Sequence, residues 1–168
     1  MGNWHKSDEF IFSIHNLIMK NKTLIAYISK SGATQEAASE IAGVLRDKFR
    51  LEVDLVDLKK NPSPGLEQYS NVIIGSGVKM QRLYKEFFNF LGKDLKDKQV
   101  AMFISSLEPR DEAIEKYVNP ALKEYPDVKP FETEVFGGIM KMLWKTVDKR
   151  DKKKVQAWAE KVGKKIKH

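Results

Sequence analysis

The sequence contains no cysteine among its 168 residues. This absence excludes disulfide bonds, catalytic thiolates, thiolate-bound zinc and cysteine-ligated iron–sulfur clusters. If the protein carries out redox chemistry, an organic cofactor must therefore supply it. Histidine is also scarce, since the only three are His5, His15 and His168, near the termini and without a carboxylate at ligand spacing. We therefore predict no metal site.

Long apolar runs and targeting signals are also missing. No stretch reaches the roughly 18 apolar residues that would make a candidate membrane-spanning segment. Residues 1–20 lack the basic start and the small-residue cleavage site of a signal peptide, and Lys6 stands where myristoylation would need serine or threonine. We therefore expect a cytoplasmic protein. The length and an apolar content of 42% fit one folded domain.

Charge is unevenly distributed along the chain. Residues 139–168 carry eleven Lys or Arg against three Asp or Glu, a local net charge of +8, whereas the preceding residues hold 19 basic and 20 acidic side chains. Such a segment is typical of contact with an acidic partner or with the anionic inner face of a membrane, and also of an ordinary solvated helix face. Charge alone leaves these interpretations open.

Strand-like and helix-like segments alternate along the chain. Apolar runs of strand length occur at 22–28, 51–56, 71–76, 99–105 and 131–136, and helical patterns occur at 33–50, 81–95, 111–124 and 151–166. This alternation predicts an α/β fold with a doubly wound, five-stranded parallel sheet covered on both faces. The second run alternates polar and apolar residues like an edge strand, so the strand order 2-1-3-4-5 fits best.

The loop after the first strand reads Ser-Lys-Ser-Gly-Ala-Thr, residues 29–34, and opens a helix. Hydroxyls and backbone N–H groups at a helix N-terminus form a phosphate cradle, although the same residues are also typical of an N-cap and a turn. The loop lies where such sheets bind ligands, beyond the carboxyl ends of the strands at the switch in strand order. It lacks the glycine patterns of triphosphate and dinucleotide sites, so a monophosphate fits better.

These residues resemble the flavodoxin family, whose first loop reads Ser/Thr-x-Ser/Thr-Gly-x-Thr. They are more closely similar to its branch of menaquinone-dependent protoporphyrinogen oxidases, in which Lys-Thr-Leu-Ile, a Ser/Thr-Lys/Arg-x-Gly-x-Thr loop and a helix open the chain. The match runs from Lys22 to about Phe136. The resemblance implies a flavodoxin-like fold that binds flavin mononucleotide (FMN).

The resemblance assigns the FMN phosphate to the first loop and the flavin ring to the loops after the third and fourth strands. The predicted cofactor-binding residues are Ser29, Lys30, Ser31, Gly32, Ala33, Thr34, Ser76, Gly77, Val78, Lys79, Met80, Ser105, Ser106, Leu107 and Glu108. Gly75 and Gly77 would let the backbone approach the ring, or would only be strand-exit turns. Lys79 would favour a negatively charged reduced flavin, or would be an ordinary surface lysine.

The sequence departs from electron-carrier flavodoxins in two ways. Those proteins are acidic and commonly flank the ring with aromatic residues in these two loops, and neither feature is present here, so we expect a more open ring site. The leading hypothesis is an FMN-dependent oxidoreductase that exchanges electrons with a quinone or a porphyrinogen, and no side chain is an evident acid–base catalyst. The alternative is a non-enzymatic electron carrier between protein partners. Nucleic-acid binding is not expected, because stacking aromatics and groove-reading helices are not apparent.

The two ends of the chain give weaker signals. The segment 139–147 (IMKMLWKTV) predicts a basic amphipathic helix, either on an anionic membrane surface or packed on the sheet edge with Trp144 in a core. The oxidase branch carries an insertion here that accompanies use of a lipid quinone, and this chain is shorter. Residues 1–18 are expected to be a peripheral extension of a domain formed by 19–168.

Overall fold

The computed structural model describes residues 6–19 and 22–166 of the chain. The helices are α1 (Lys6–Met19), α2 (Ala33–Phe49), α3 (Lys85–Leu91), α4 (Arg110–Ala113), α5 (Asn119–Glu124) and α6 (Lys152–Ile166), with a π-helical segment at Ile114–Val118 between α4 and α5. The strands are β1 (Thr23–Ile28), β2 (Val53–Asp57), β3 (Asn71–Lys79), β4 (Arg82–Leu83), β5 (Gln99–Ser106), β6 (Glu132–Gly137), β7 (Ile139–Lys141) and β8 (Thr146–Asp148).

Five of these strands form a parallel sheet in the order β2-β1-β3-β5-β6. Counted along the predicted strands this order is 2-1-3-4-5, so the predicted fold class and topology are confirmed. The central strands are nearly continuous in apolar residues because helices cover both of their faces. The register pairs Ile28 with Ser76 and Gly77 with Ser105, so the carboxyl ends of β1, β3 and β5 meet at one edge.

Alternate residues of each strand enter two separate cores. On one face Ile25, Ile73 and Phe103 pack with α2 and α6, and on the other face the intervening side chains pack with α3, the π-helical segment and α5. Phe103 lies 5.6 Å from the Phe136 ring centroid and 6.1 Å from that of Trp158. These edge and tilted contacts are the arrangements that aromatic quadrupoles favour.

The helix predicted at 81–95 is wrong at both ends, since α3 begins at Lys85 and ends at Leu91. Strand β3 continues to Lys79 and the chain then turns back as β4, antiparallel to the end of β3, so α3 covers only seven residues. Within α3, Phe87 and Phe90 are fully buried, whereas Phe88 is only partly buried. Helical spacing could not reveal the short hairpin, because its buried Leu83 falls on the same apolar stripe.

The segment after β6 is a hairpin and not the predicted amphipathic helix. Strands β7 and β8 pair antiparallel, and Met142, Leu143 and Trp144 lie in the loop that joins them. Trp144 is 81% exposed and Leu143 is fully exposed, so the interpretation that placed Trp144 in a core is wrong. Three residues of strand on each side suffice here because the Lys149 amide closes the base of the hairpin by donating to the Gly138 carbonyl, and the Gly138 amide joins that base to β5 by donating to the Ser106 carbonyl.

The basic side chains of α6 lie opposite carboxylates of the sheet and of α2. The ion pairs join Lys152 to Glu40, Lys154 to Glu134, and both Lys161 and Lys165 to Glu132. Exposed pairs of this kind contribute at most about 1 kcal/mol each. They nevertheless place carboxylates beside four of the lysines of α6. The net charge of +8 on residues 139–168 is therefore not concentrated on one basic surface without acidic neighbours.

Helix α1 precedes the sheet, and its residues from Lys6 to His15 are exposed, including Phe10 and Phe12. No helix within the described ranges is long and apolar enough to cross a bilayer. No group of three or more His, Asp or Glu within those same ranges could hold a metal ion. His5 and His168 lie outside the described residues. Whether residues 1–18 are a peripheral extension stays a prediction.

Candidate functional site

A cleft of about 680 Å³ lies beyond the carboxyl ends of β1, β3 and β5. Of the predicted residues, those that line it are Lys30, Ser31, Thr34, Gly77, Val78, Lys79, Met80, Ser105, Ser106, Leu107 and Glu108. The topology forces these segments together, since parallel strands end at a common edge and the strand order reverses there. The predicted position of the site and the observed cleft therefore coincide.

The loop between β1 and α2 presents a helix N-terminus to this cleft. Gly32 has φ of +93°, and its N–H donates to the Ser29 hydroxyl at 3.1 Å. The first backbone bond of the helix runs from the Glu36 amide to the Gly32 carbonyl at 2.9 Å, and no side chain caps the helix. The interpretation of this loop as a serine or threonine N-cap is therefore wrong. The first-turn amides lie at the positive end of the helix dipole and can donate hydrogen bonds to an anion.

Four predicted residues do not line the cleft. Ser29 is occupied by the turn just described, and Gly32 supplies the conformation of that turn. Ala33 lies on the opposite side of the helix start, in a depression beside Arg150. Ser76 is fully buried within β3, and its hydroxyl donates to the Gly77 carbonyl at 2.8 Å. Alternation along a strand explains the last case, because neighbouring residues point to opposite faces.

Two glycines near the end of β3 serve different purposes, and both lie within the strand rather than in an exit turn. A Cβ at Gly75 would lie 2.1 Å from Cζ of Phe103, so this glycine makes room for the core and not for a ligand. A Cβ at Gly77 would lie 3.1 Å from Oγ1 of Thr34, across the cleft floor. Of these two glycines, Gly77 is therefore the one whose missing side chain leaves space in the cleft beside Thr34.

Ser105 presents an unsatisfied group to the cleft. Its residue is 5% exposed, and its hydroxyl has no hydrogen-bond partner among the described residues. Most buried polar atoms have such a partner, so an exception at a cleft wall indicates a ligand atom or an ordered water.

The turn between β3 and β4 forms one wall of the cleft. Met80 and Gln81 have φ of 48° and 59°, the pattern of a two-residue type I′ turn, which normally carries asparagine and glycine. Such strain in side chains other than glycine is typical of functional sites. Tyr84 follows the turn and also lines the cleft, which the sequence reasoning missed because it assigned this stretch to a helix. The two loops themselves hold no aromatic residue, but Tyr84, which lies outside both of them, lines the same cleft.

Glu108 anchors the loop after β5. Its carboxylate accepts from the Tyr117 hydroxyl at 2.7 Å, from Lys116 Nζ at 3.2 Å and from the Ser106 hydroxyl. Burial opposes its ionisation, but these donors and its own amide outweigh burial and lower the pKa of Glu108 to about 2. The carboxylate is therefore ionised at neutral pH, and it fixes the loop that carries Ser105.

The β7–β8 hairpin closes the remaining side of the cleft. The Gly138 amide donates to the Ser106 carbonyl at 2.8 Å, and the Lys149 amide donates to the Gly138 carbonyl at 3.0 Å. These bonds hold the hairpin beside the loop after β5. The lining residues that the sequence did not predict are Gln81, Tyr84, Gly138, Ile139, Met140 and Lys141. No sequence signal identified the last four, because the segment was interpreted as a separate helix.

The cleft carries an excess of positive charge. Lys30, Lys79 and Lys141 line it, against Glu108, which is already engaged by its own donors. The Lys59 ammonium lies 5.4 Å from the Tyr84 ring centroid and donates to the Ser29 carbonyl in the loop between β1 and α2. Cations around a helix N-terminus favour a bound phosphate or another anionic group.

Comparison with known proteins agrees with this geometry. Residues 24–165 match a family model described as a flavodoxin domain. The solved structure of flavodoxin 1 from Bacillus cereus is 25% identical in sequence, and the match covers 85% of this chain and 97% of that one with a TM-score of 0.61. Flavodoxin 2 of the same organism is 27% identical, and the match covers 86% of this chain and 99% of that one with a TM-score of 0.61. A curated relative, the protoporphyrinogen IX dehydrogenase [quinone] of Escherichia coli strain K12, is 29% identical over 72 residues, which are 43% of this chain and 39% of that protein. The match thus spans well under half the length of this relative.

Proposed function

Because this chain belongs to the flavodoxin domain family, we propose that it is an oxidoreductase that passes electrons through FMN to or from a quinone or a porphyrinogen. FMN is the cofactor of this family, and the cofactor predicted from the sequence is thereby confirmed. Bound FMN supplies reversible uptake of electrons together with a proton. The residues of the chain bind it, orient it and limit the access of water.

The observation that carries the proposal is a set of polar groups without protein partners around one cleft. The first-turn amides of α2 have no capping side chain, and the Ser105 hydroxyl has no partner among the described residues. A phosphate satisfies the amides, and a polar edge of a ring satisfies the hydroxyl. The donor set therefore fits FMN. We assign Ser31 and Thr34 to the phosphate, with Lys30 adding positive charge.

We propose that the ring lies between the two loops that follow β3 and β5. Gly77–Met80 and Ser105–Glu108 line facing sides of the cleft, and Tyr84 supplies an aromatic wall. Lys79 stabilises negative charge on the reduced ring, because a nearby cation favours the charged form of a titrating group. Replacing Lys79 by Gln lowers the midpoint potential of the bound flavin, measured by equilibration with redox dyes, whereas Lys96→Gln leaves it unchanged. An unchanged potential in the first variant makes Lys79 an ordinary surface residue.

No side chain is assigned as an acid–base catalyst. Within the described residues, Glu108 is the only carboxylate that lines the cleft, and its pKa of about 2 keeps it ionised at neutral pH. Its four donors give it the role of a positioning residue for the loop after β5. Proton exchange with the ring is then left to solvent or to the substrate itself.

The protoporphyrinogen IX dehydrogenase [quinone] of Escherichia coli supports a quinone or a porphyrinogen as the substrate. The alternative function is electron carriage between protein partners, and one observation favours it: the two Bacillus flavodoxins are matched over nearly their whole length, whereas the dehydrogenase is matched over 39% of its own. We propose a cytoplasmic location for either function. The positive charge of the cleft favours anionic or electron-rich substrates over the surfaces of basic protein partners.

Titration with FMN and riboflavin tests the phosphate assignment. We expect one FMN per chain, bound more tightly than riboflavin, because riboflavin lacks the phosphate group that accepts hydrogen bonds from the first-turn amides of α2. Thr34→Ala or Ser31→Ala costs about 1–2 kcal/mol in FMN binding, the scale of a charge-assisted hydrogen bond, and leaves riboflavin binding unchanged. Ser63→Ala, an exposed hydroxyl beside Lys93, serves as the control. Equal affinity for the two flavins contradicts the assignment.

Steady-state assays of the FMN-loaded protein separate the two functions. A quinone, a porphyrinogen and a reduced ferredoxin are compared as reactants under the same conditions. Multiple turnover with the small molecules alone supports the enzyme. A requirement for a protein at both the donor and the acceptor side supports the carrier and contradicts the proposed reaction.

A further inference from the structure

The tip of the β7–β8 hairpin is the most exposed apolar feature of the described domain beside the cleft. Leu143 is fully exposed, Trp144 is 81% exposed, and Met142 is partly exposed next to them. Single exposed apolar residues are ordinary, but a contiguous group at the end of a projecting loop usually marks an interaction site. We propose that this tip, residues 142–145, docks the protein on a lipid bilayer that carries anionic headgroups.

The hairpin holds the tip in a defined position. The Met142 amide donates to the Lys145 carbonyl at 2.8 Å, and Lys141 pairs with Thr146 in the adjoining strands. At the base, Lys149 Nζ donates to the Leu107 carbonyl at 2.9 Å. The apolar side chains are thus displayed on an ordered support, so little ordering is needed when they enter an interface.

The chemistry of the tip favours lipid over a protein partner. Tryptophan is enriched at the level of lipid headgroups, and leucine and methionine suit the first part of the acyl region. Lys141 and Lys145 flank these residues. Lys141 is close enough to Asp148 to help lower the pKa of that carboxylate, so Lys145 is the cation of the tip itself. Apolar side chains bordered by cations complement an anionic bilayer surface. The lysines of α6, in contrast, are largely engaged with carboxylates.

Docking at the tip would present the cleft to the bilayer. Strand β7 supplies Ile139, Met140 and Lys141 to the cleft wall, and Leu143 lies only two residues beyond. An acceptor with an apolar tail could then reach the flavin site from the membrane without crossing open water. This consequence rests on the proposed function, whereas the docking itself does not.

Co-sedimentation with vesicles tests the docking. The FMN-loaded full chain is mixed with phosphatidylcholine vesicles, with or without phosphatidylglycerol, at low and high salt. We expect binding only to the anionic vesicles and a weaker partition at high salt. The double variant Leu143→Ser/Trp144→Ser lowers the partition at least about tenfold, and Lys145→Gln lowers it about fivefold.

Helix α1 provides a matched control, because it also exposes apolar side chains but carries Asp8 and Glu9 in its first turn. Ile11→Ser/Phe12→Ser is expected to leave vesicle binding unchanged. Loss of binding in this variant, with no loss in the hairpin variant, overturns the proposal. The proposal also fails if the wild-type protein stays in the supernatant at low salt. It fails as well if the protein forms an oligomer without lipid and the hairpin variant dissociates that oligomer in gel filtration, because the tip then binds a second copy of the chain.

Two further readouts locate the contact and separate docking from catalysis. Brominated lipid chains quench the tryptophan emission of the wild-type protein and quench the Trp144→Phe variant much less; equal quenching of both places the contact elsewhere and overturns the proposal. The hairpin variant keeps its FMN affinity and its turnover with a water-soluble quinone. Vesicle binding without turnover of any quinone supports the docking while contradicting the proposed reaction.

Discussion

Glu108 gives the structure's clearest prediction about stability. The Tyr117 and Ser106 hydroxyls, Lys116 and a backbone amide all donate to this half-buried carboxylate, and its pKa falls from 4.5 to about 2. A difference of this size between the folded and unfolded chains corresponds to about 2–3 kcal/mol, once some solvent screening is allowed for. Because the folded pKa is the lower one, the stabilisation is complete above about pH 4.5 and is lost as the pH falls toward 2.

Replacing Glu108 by Gln removes this titration together with the charge that Lys116 pairs with. We expect the free energy of unfolding to fall by about 2–3 kcal/mol at pH 7, and by less than half of that at pH 3. Urea denaturation at several pH values measures both, with the slope of the transition checked for constancy. Glu112→Gln, on the exposed side of α4, is the control and should follow the wild type. A gap between Glu108→Gln and wild type that stays constant from pH 7 to pH 3 would refute the reasoning.

Two further predictions concern the backbone. Met80→Asn/Gln81→Gly places the preferred residues in the type I′ turn and raises the free energy of unfolding by about 1 kcal/mol, seen as a higher urea midpoint; a lower midpoint means that the turn is not strained. Gly75→Ala drives a methyl group into the Phe103 ring and costs about 1–3 kcal/mol, whereas Gly43→Ala, which meets nothing within 4 Å inside α2, is stabilising by up to about 1 kcal/mol. Equal effects of the two substitutions in thermal or urea unfolding would contradict the assigned packing.

Local patterns carried most of the information about the sheet. The runs at 71–76 and 99–105 indicated central strands, because their nearly continuous apolar residues leave neither face of the strand polar enough for solvent. The helical segments between the strands indicated parallel crossover connections. The position of the loop at 29–34 followed from the same order, since a helix opened directly after the first strand. The misplaced helix start at 81 shows the limit: a buried Leu83 suits a helix and a short hairpin equally, and only pairing with β3 distinguishes them.

The sequence by itself determined the layer architecture, the strand order and the position of the loop at 29–34 at the carboxyl end of the first strand, because these depend on periodicity and on residues that are neighbours in the chain. The tertiary structure decided what depends on distant contacts. The Phe103 ring leaves room only for a glycine at position 75. The Ser29 hydroxyl accepts from the Gly32 amide, the Ser105 hydroxyl has no partner among the described residues, and the segment at 139–148 forms a hairpin. Gly138, just before this segment, donates to the Ser106 carbonyl and accepts from the amide of Lys149, just after it. Neither bond could be inferred from the segment's own amphipathic spacing.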